Sequence, residues 1–244
     1  MKIESLKNER VKKWCHLKDK KERDKTGTFL VEGSHLVTEA KKRGLVVEII
    51  TLENRQESRI PTYIVTKEIM KKITDQVSPP TIAAVCKKMD STLELGPTLC
   101  LDEIQDPGNL GTIIRSAVAF GFKNIILSEH TVDVYNPKVI RSTEGMLFHV
   151  AIMRRDLKEF LTEIHSEYLI FGTDVRGGIK PEESHVPPQY ALIIGSEGQG
   201  MRPEIRTFCD KFLYIPMSPL CESLNAGVSA SILMYELAKR QDYE

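Results

Sequence analysis

Three polar side chains that could bind a ligand stand just after predicted strands in the second half of the chain. Ser223 and Asn225 follow the apolar segment 212–215, and Asn109 follows the segment 98–104. A hydroxyl or amide at a helix start can cap free backbone N–H groups or hold a ligand. Each position therefore allows two interpretations, a helix cap or a binding site. The residues around each position do not decide between the two.

A positively charged side chain lies near Asn109. Arg115 follows it by six residues, less than two turns along a helix predicted for residues 110–120. The neighbours Ile113 and Ile114 are apolar, which argues against an ordinary surface arginine. The pKa of arginine is above about 12, so the side chain hardly loses its proton in a protein. Binding an anion or stabilising a forming negative charge is therefore easier for Arg115 than acting as a base.

Strands and helices alternate throughout the second half of the chain and must position these residues. We predict strands over 98–104, 123–127, 147–153, 168–173, 190–194 and 212–215, and helices over 110–120, 137–141, 157–165, a short stretch from 203, and 223–239. Such alternation predicts an α/β fold with a parallel sheet covered on both faces. Ligands of such sheets bind beyond the carboxyl ends of the strands. Asn109, Thr173, Gly195 and Ile215 all lie at or just past such ends.

The first half of the chain reads as a separate, small α/β unit. We predict domains over 1–90 and 98–244, joined by a polar linker over 91–97 that contains Gly and Pro. Residues 1–90 contain 20 Lys and Arg but 13 Asp and Glu, an excess of positive charge. Residues 91–244 contain 14 Lys and Arg but 21 Asp and Glu, an equal excess of negative charge. A basic part joined to an acidic one favours polyanion binding by the first part. Its basic cluster lies in residues 7–25, where Trp14 is expected in the core.

Composition excludes several functional classes. The five cysteines are scattered, without a Cys-x-x-Cys pair, so neither a disulfide framework nor a zinc site is expected. No apolar run approaches the roughly 20 residues that cross a bilayer, and the N-terminus is unlike a signal peptide. The glycines of segment 195–200 follow a late strand with the wrong spacing for a dinucleotide fingerprint, which disfavours an oxidoreductase that uses NAD.

Three stretches, in this order, resemble the three motifs of the SpoU (TrmH) family of RNA ribose 2′-O-methyltransferases, within the SPOUT superfamily. They are residues 101–117, 192–201 and 215–229. The resemblance is strong from about residue 99 onwards. The segments 29–33 and 78–84 carry a looser likeness to the L30e-like substrate-binding domain of many such enzymes.

The resemblance implies a fold, a cofactor and a set of site residues. The fold would be a parallel-sheet methyltransferase domain with a C-terminal trefoil knot, preceded by a small α/β L30e-like domain. The cofactor would be S-adenosylmethionine, no metal would be needed, and the protein would be a homodimer. The implied catalytic residues are Arg115, Asn109, Glu197, Ser223 and Asn225, and the implied cofactor-binding residues are Thr173, Gly195, Ile215, Met217 and Leu224.

The implied activity is methyl transfer from S-adenosylmethionine to a ribose 2′-hydroxyl of RNA, with 23S-type rRNA as the expected substrate in the cytoplasm. Transfer RNA is the alternative substrate, and a non-catalytic RNA-binding member of the fold is the alternative from another class. One departure from the family pattern is Glu144, an extra acid in the segment 142–146. It leaves the details of the substrate open.

Overall fold

A computed structural model describes residues 1–53, 59–74, 76 and 78–240 of the 244-residue chain. The chain forms two compact units: the first comprises Met1–Asp90 and Asp133–Phe148, and the second comprises Ser91–Val132 and His149–Glu244. Among the described residues, none of the helices has the length and apolar character that crossing a bilayer requires.

The first unit is built on a mixed five-stranded sheet in the order β1-β4-β3-β5-β2. Its elements are β1 (Lys2–Ile3), α1 (Glu9–His16), α2 (Lys20–Thr26), β2 (Thr28–Glu32), α3 (Ser34–Lys42), β3 (Val46–Thr51), β4 (Thr62–Val65), α4 (Lys67–Thr74), β5 (Ile82–Lys87) and, from the later segment, α6 (Pro137–Ser142). Trp14 is 2% exposed and lies in the core, as predicted. The charged stretch after α1 forms helix α2, which ends at Gly27, whose φ of 64° suits glycine.

The second unit contains a six-stranded sheet, all parallel, in the order β11-β9-β10-β6-β7-β8. Its elements are β6 (Thr98–Asp102), α5 (Pro107–Ala119), β7 (Asn124–Leu127), β8 (Ala151–Arg154), α7 (Leu157–Ile164), β9 (Leu169–Thr173), β10 (Tyr190–Gly195), α8 (Pro203–Arg206), β11 (Lys211–Leu213) and α9 (Ala226–Ala238). The central strands β6 and β10 are almost wholly buried, as expected for strands covered on both faces. The predicted fold class is confirmed, whereas the knot stays a prediction.

The register of the parallel sheet aligns the strand ends that the sequence singled out. Gly195 at the end of β10 pairs with Asp102 at the end of β6, and Leu213 of β11 pairs with Thr173 of β9. These carboxyl ends therefore lie along one edge, where a parallel sheet of this kind binds ligands.

Residues 133–148 pack differently from the sequence-based division, which placed them in the second domain. Within the first unit, Asp133 accepts hydrogen bonds from Nε and Nη2 of Arg23 at 3.1 and 2.6 Å, and the Arg23 side chain is 3% exposed. Arg23 is thus a buried structural residue and not part of an RNA-binding surface. The single strand predicted over 147–153 is instead a 3₁₀ turn, Met146–His149, followed by β8. The assignment of separate functions to the two parts remains a prediction.

Candidate active site

A cavity of about 530 Å³ opens at the carboxyl ends of β9, β10 and β11. Its wall contains all five residues that the resemblance implied for the cofactor, namely Thr173, Gly195, Ile215, Met217 and Leu224. Glu197 and Ser223 also line it. Residues separated by more than 50 positions in the sequence are therefore brought together at the edge that the strand order predicts.

The loop after β10 folds back tightly on its own start. Ser196 and Gly200 exchange two backbone hydrogen bonds of 3.1 and 3.0 Å. A Cβ atom on Gly195 would lie 2.2 Å from the carbonyl carbon of Gly200 and from the nitrogen of Met201. Glycine is therefore required at position 195, because any side chain would push this wall of the cavity outwards.

A buried carboxylate holds the far end of the same loop. Asp102, fully buried at the end of β6, accepts hydrogen bonds from the backbone N–H and from Nε of Arg202 at 2.8 and 2.7 Å. Burying a carboxylate is costly unless such donors satisfy it. Sequence analysis missed this role. The signal was present in the first motif, where an acid ends an otherwise apolar strand.

Helix α5 begins earlier than predicted, and this changes the role of Asn109. The Asp106 carboxylate caps the helix by accepting from the backbone N–H of Asn109 at 2.8 Å, and Pro107 occupies the first turn, where proline is favoured. The helix predicted over 110–120 therefore begins earlier than expected, and the capping interpretation of Asn109 is excluded. The Asn109 side chain is instead free to donate from Nδ2 to Oε1 of Glu197 at 2.5 Å.

Helix α9 begins later than predicted, because Asn225 is its cap. The Asn225 Oδ1 atom accepts from the backbone N–H groups of Gly227 and Val228 at 2.9 and 3.2 Å. Ser223 consequently lies in an irregular segment before the helix and not within it. Ser223 is exposed at the cavity wall, so its hydroxyl is better placed to bind a ligand than to cap the helix.

Close packing of α5 against α9 brings two of the predicted site residues together. A Cβ atom on Gly227 would lie 3.2 Å from Oδ1 of Asn225 and 3.4 Å from Oδ1 of Asn109. A hydrogen bond of 2.7 Å between the hydroxyls of Ser116 and Ser231 ties the same helices about two turns beyond Asn109 on α5 and about one turn beyond Gly227 on α9. Asn109, Asn225 and, through Asn109, Glu197 therefore form one cluster.

Arg115 lies apart from this cluster in its own chain. Six residues along α5 correspond to about 9 Å of rise and an angle of about 120° around the helix from Asn109. The side chain is exposed, does not line the cavity, and makes no hydrogen bond or ion pair within the described part of the chain. Seven of the ten predicted site residues thus line one cavity, Asn109 is tied to it by its hydrogen bond to Glu197, Asn225 follows the lining residue Leu224, and Arg115 lies apart.

The chemistry of the cavity fits S-adenosylmethionine. Leucine, isoleucine and methionine side chains offer apolar surfaces, and the segment 214–225 lies outside helix and strand, so its backbone groups can bind a polar ring edge. Asp174 and Arg206, paired at 2.7 Å, add both charges to the wall, and the hydrogen bond from Arg206 lowers the pKa of Asp174. Within the described residues no group of His, Cys, Asp or Glu side chains is arranged to hold a metal ion.

Comparison with known proteins agrees with this geometry. Residues 96–235 match the SpoU rRNA Methylase family, and residues 8–84 match the MRM3-like substrate binding domain. A 23S rRNA (guanosine(2553)-2'-O)-methyltransferase, RlmP, of Bacillus subtilis is 40% identical and aligns with 96% of this chain and 98% of its own length. The 23S rRNA (uridine(2479)-2'-O)-methyltransferase of Streptomyces viridochromogenes is 27% identical, over 96% of this chain and 91% of its own.

A solved structure extends the likeness to the fold. The AdoMet-bound rRNA methyltransferase from Sinorhizobium meliloti superposes with a TM-score of 0.90 at 26% identity, covering 98% of this chain and 97% of that one. The family model and the named relatives define the class of protein, an RNA ribose 2′-O-methyltransferase. The chain belongs to the SpoU family of rRNA methylases, which confirms the family predicted from the motifs.

Proposed function

We propose that this protein transfers the methyl group of S-adenosylmethionine to a ribose 2′-hydroxyl in 23S rRNA. The observation that carries the proposal is the cavity, which gathers all five expected cofactor residues beside the Asn109–Glu197 pair. The B. subtilis relative acts on a guanosine of 23S rRNA, so guanosine is the expected nucleotide. The proposal places the enzyme in the cytoplasm.

The predicted enzyme class and cofactor are confirmed at the level of the family. The chain is an RNA ribose 2′-O-methyltransferase that uses S-adenosylmethionine. When bound, S-adenosylmethionine supplies an electrophilic methyl group on a sulfonium centre. What remains for the chain's own residues is to hold the cofactor, orient the ribose and stabilise the charge that develops on its oxygen.

In the proposed site the five cavity residues hold the cofactor and a polar cluster orients the ribose. Glu197 accepts from the Asn109 amide and thereby fixes the orientation of that amide. Asn225 is held in place by capping α9, and Ser223 presents a hydroxyl at the cavity wall. Such preorganised dipoles stabilise developing charge without having to reorganise during the reaction.

Arg115 serves the cavity of a second chain in this proposal. Its guanidinium is exposed and unpaired within the described residues of its own chain, so it is available to hold an RNA phosphate or to stabilise the forming alkoxide. We expect a homodimer in which α5 and α9 lie at the interface. Exposed apolar side chains beside the site support this: Leu220 is 96%, Val228 46% and Tyr235 47% exposed.

The apolar residues Leu233, Met234 and Leu237 of α9 do not contribute to the proposed interface. All three are at most 2% exposed, because this face of α9 packs inside its own chain. Val228 and Tyr235, on the other face, are the expected contacts.

The direct test uses tritium-labelled S-adenosylmethionine with 23S rRNA and tRNA transcripts. We expect label in 23S rRNA, at a single ribose, and mapping of 2′-O-methyl groups in RNA from a deletion strain should show the same site unmodified. Label found in tRNA alone would overturn the choice of substrate. Calorimetry that detects no cofactor binding at high concentration would instead favour a non-catalytic RNA-binding protein.

A further inference from the structure

The wall of the cavity at the carboxyl edge of the parallel sheet carries five charged side chains, and three of them are matched inside the chain. Nη2 of Arg206 donates to Asp174 at 2.7 Å, and Glu197 accepts from the amide of Asn109. Asp174 also accepts from the backbone N–H of Arg176 at 3.1 Å. The Asp174–Arg206 pair and Glu197 therefore belong to the fixed part of the wall.

The other two charged side chains of the wall are those of Arg176 and Glu222. Both are exposed, and neither side chain has a hydrogen bond or ion pair within the described residues. Arg176 lies just after β9, and Glu222 lies in the irregular segment before α9. As far as the chain is described, the wall thus offers a ligand one uncommitted positive group and one uncommitted negative group.

The amino-acid end of S-adenosylmethionine carries the complementary pair of charges. It holds a carboxylate, which needs N–H donors, and an ammonium group, which needs acceptors. The apolar side chains of the wall, such as Ile215 and Leu224, suit the adenine ring but not this end. Removing either charge from water without a partner would weaken binding. An arginine offers a carboxylate two parallel hydrogen bonds, and a glutamate offers an ammonium group its two oxygens.

We propose that Arg176 binds the carboxylate and Glu222 the ammonium group of the amino-acid end of S-adenosylmethionine. The inference rests on the proposed cofactor role of the cavity and adds two residues that the family resemblance did not imply. It makes the cavity selective for a cofactor whose amino-acid end is intact. A phosphate of the RNA is the other anion that could engage Arg176, and the test below separates the two.

The contact of Arg176 is tested with decarboxylated S-adenosylmethionine, which keeps the sulfonium and the ammonium group but lacks the carboxylate. Calorimetry on the full-length wild type should show roughly tenfold weaker binding of this compound than of S-adenosylmethionine, as for a lost charged hydrogen bond. Arg176→Gln should weaken S-adenosylmethionine binding by a similar factor. The same variant should bind the decarboxylated compound as the wild type does, because that ligand never made the contact.

The contact of Glu222 is tested with ligands that differ at the ammonium group. Glu222→Gln should weaken binding of S-adenosylmethionine and of its decarboxylated form alike, since both carry that group. Binding of 5′-methylthioadenosine, which lacks the whole amino-acid end, should not change. S-adenosylhomocysteine keeps both amino-acid charges but has no sulfonium, so it should show the loss in both variants. An unchanged affinity of Glu222→Gln for S-adenosylhomocysteine would mean that Glu222 faces the sulfonium instead.

Matched controls are Arg240→Gln and Glu167→Gln, the same charge changes at exposed positions of the second unit outside the cavity. Both should keep wild-type affinities, and Tm shows whether each variant stays folded. Equal wild-type affinities for S-adenosylmethionine and its decarboxylated form would overturn the proposal. So would an equal loss for both ligands in Arg176→Gln, or a variant that binds the cofactor normally and only RNA weakly. A wild type that binds no cofactor would instead overturn the proposed methyl transfer itself.

Discussion

Arg115 is the residue on which the chemistry of the proposed site depends. Arg115→Ala should lower methyl transfer by about 10²–10³-fold, the usual cost of a lost charge-stabilising donor. Cofactor affinity should stay unchanged, because the five cavity residues hold the cofactor and the proposed contacts of Arg115 are with the RNA. Helix α5 should persist, since alanine is a good helix former. Near wild-type turnover on saturating RNA would show that Arg115 is not catalytic.

Replacement by lysine separates charge from shape. Lysine keeps the positive charge of Arg115 but loses the planar fork of donors that binds a phosphate through two parallel hydrogen bonds. If the fork positions the RNA, Arg115→Lys should recover little of the lost rate. A substantial recovery would assign the effect to charge alone.

Asp102 is expected to act at a distance, by positioning the loop that carries Glu197. Asp102→Asn keeps the shape but removes the charge from two hydrogen bonds with Arg202. We expect roughly a tenfold weaker affinity for S-adenosylmethionine, measured by calorimetry, because hydrogen bonds to charged groups are worth about 1.5–3 kcal/mol.

A control distinguishes this role from general loss of stability. Glu163→Gln breaks an exposed pair with Arg155, far in sequence from the loop. Exposed pairs of this kind contribute little to stability, so neither Tm nor cofactor affinity should change much. If Asp102→Asn lowered only Tm and left cofactor affinity intact, the residue would be structural and the positioning role would be lost.

At the scale of elements, the loop after β10 allows a sharp comparison between two glycines. Gly195→Ala places a methyl group 2.2 Å from backbone atoms of Gly200 and Met201, so the loop must move. Gly198 has open space around the same position and no positive φ. We therefore expect Gly195→Ala to abolish cofactor binding and Gly198→Ala to retain it. Equal cofactor affinities for the two variants would refute this account of the loop.

The element pattern could be predicted from the sequence where apolar runs decide it, as in β6, β9 and β10. Helix starts could not, because side-chain caps decide them and several candidates compete. Asp106, and not Asn109, caps α5, and Asn225, and not Ser223, caps α9. The first outcome depends on a distant partner, because the Asn109 side chain donates to Glu197, 88 positions away. Motifs thus located the site, while long-range contacts set the role of each residue.

At the scale of the whole molecule, the buried Arg23–Asp133 pair explains why 133–148 belongs to the first unit. Arg23 Nη1 also donates to the carbonyl groups of Leu17 and Lys18 at 2.8 and 2.6 Å. The sequence offered no signal for this pairing, since the partners are 110 positions apart. Asp133→Ala would leave a buried guanidinium unpaired, which typically costs about 3–5 kcal/mol.

The expected consequence is a large fall in the free energy of unfolding, measured by urea denaturation with Trp14 emission. Asp24→Ala, which removes exposed pairs with Lys20 and Lys88, should cost no more than about 1 kcal/mol. Equal losses in the two variants would mean that the Arg23–Asp133 pair does not hold the segment in place.

The dimer can be tested through its active sites as well as its mass. Sedimentation at working concentration should give twice the chain mass of 27.7 kDa, and a monomer would end the dimer proposal. Arg115→Ala chains keep an intact cavity, whereas Gly195→Ala chains keep an intact arginine. If Arg115 serves the partner's cavity, each mixed dimer contains one complete site.

Homodimers of either variant should be inactive. Co-expression of the two inactive variants should then restore about a quarter of the wild-type rate, since random pairing makes half of the dimers mixed and each has one working site of two. If Arg115 serves its own chain instead, no pairing assembles a complete site and the mixture stays inactive. The exposed, unpaired position of Arg115 on α5 leads us to expect the restored rate.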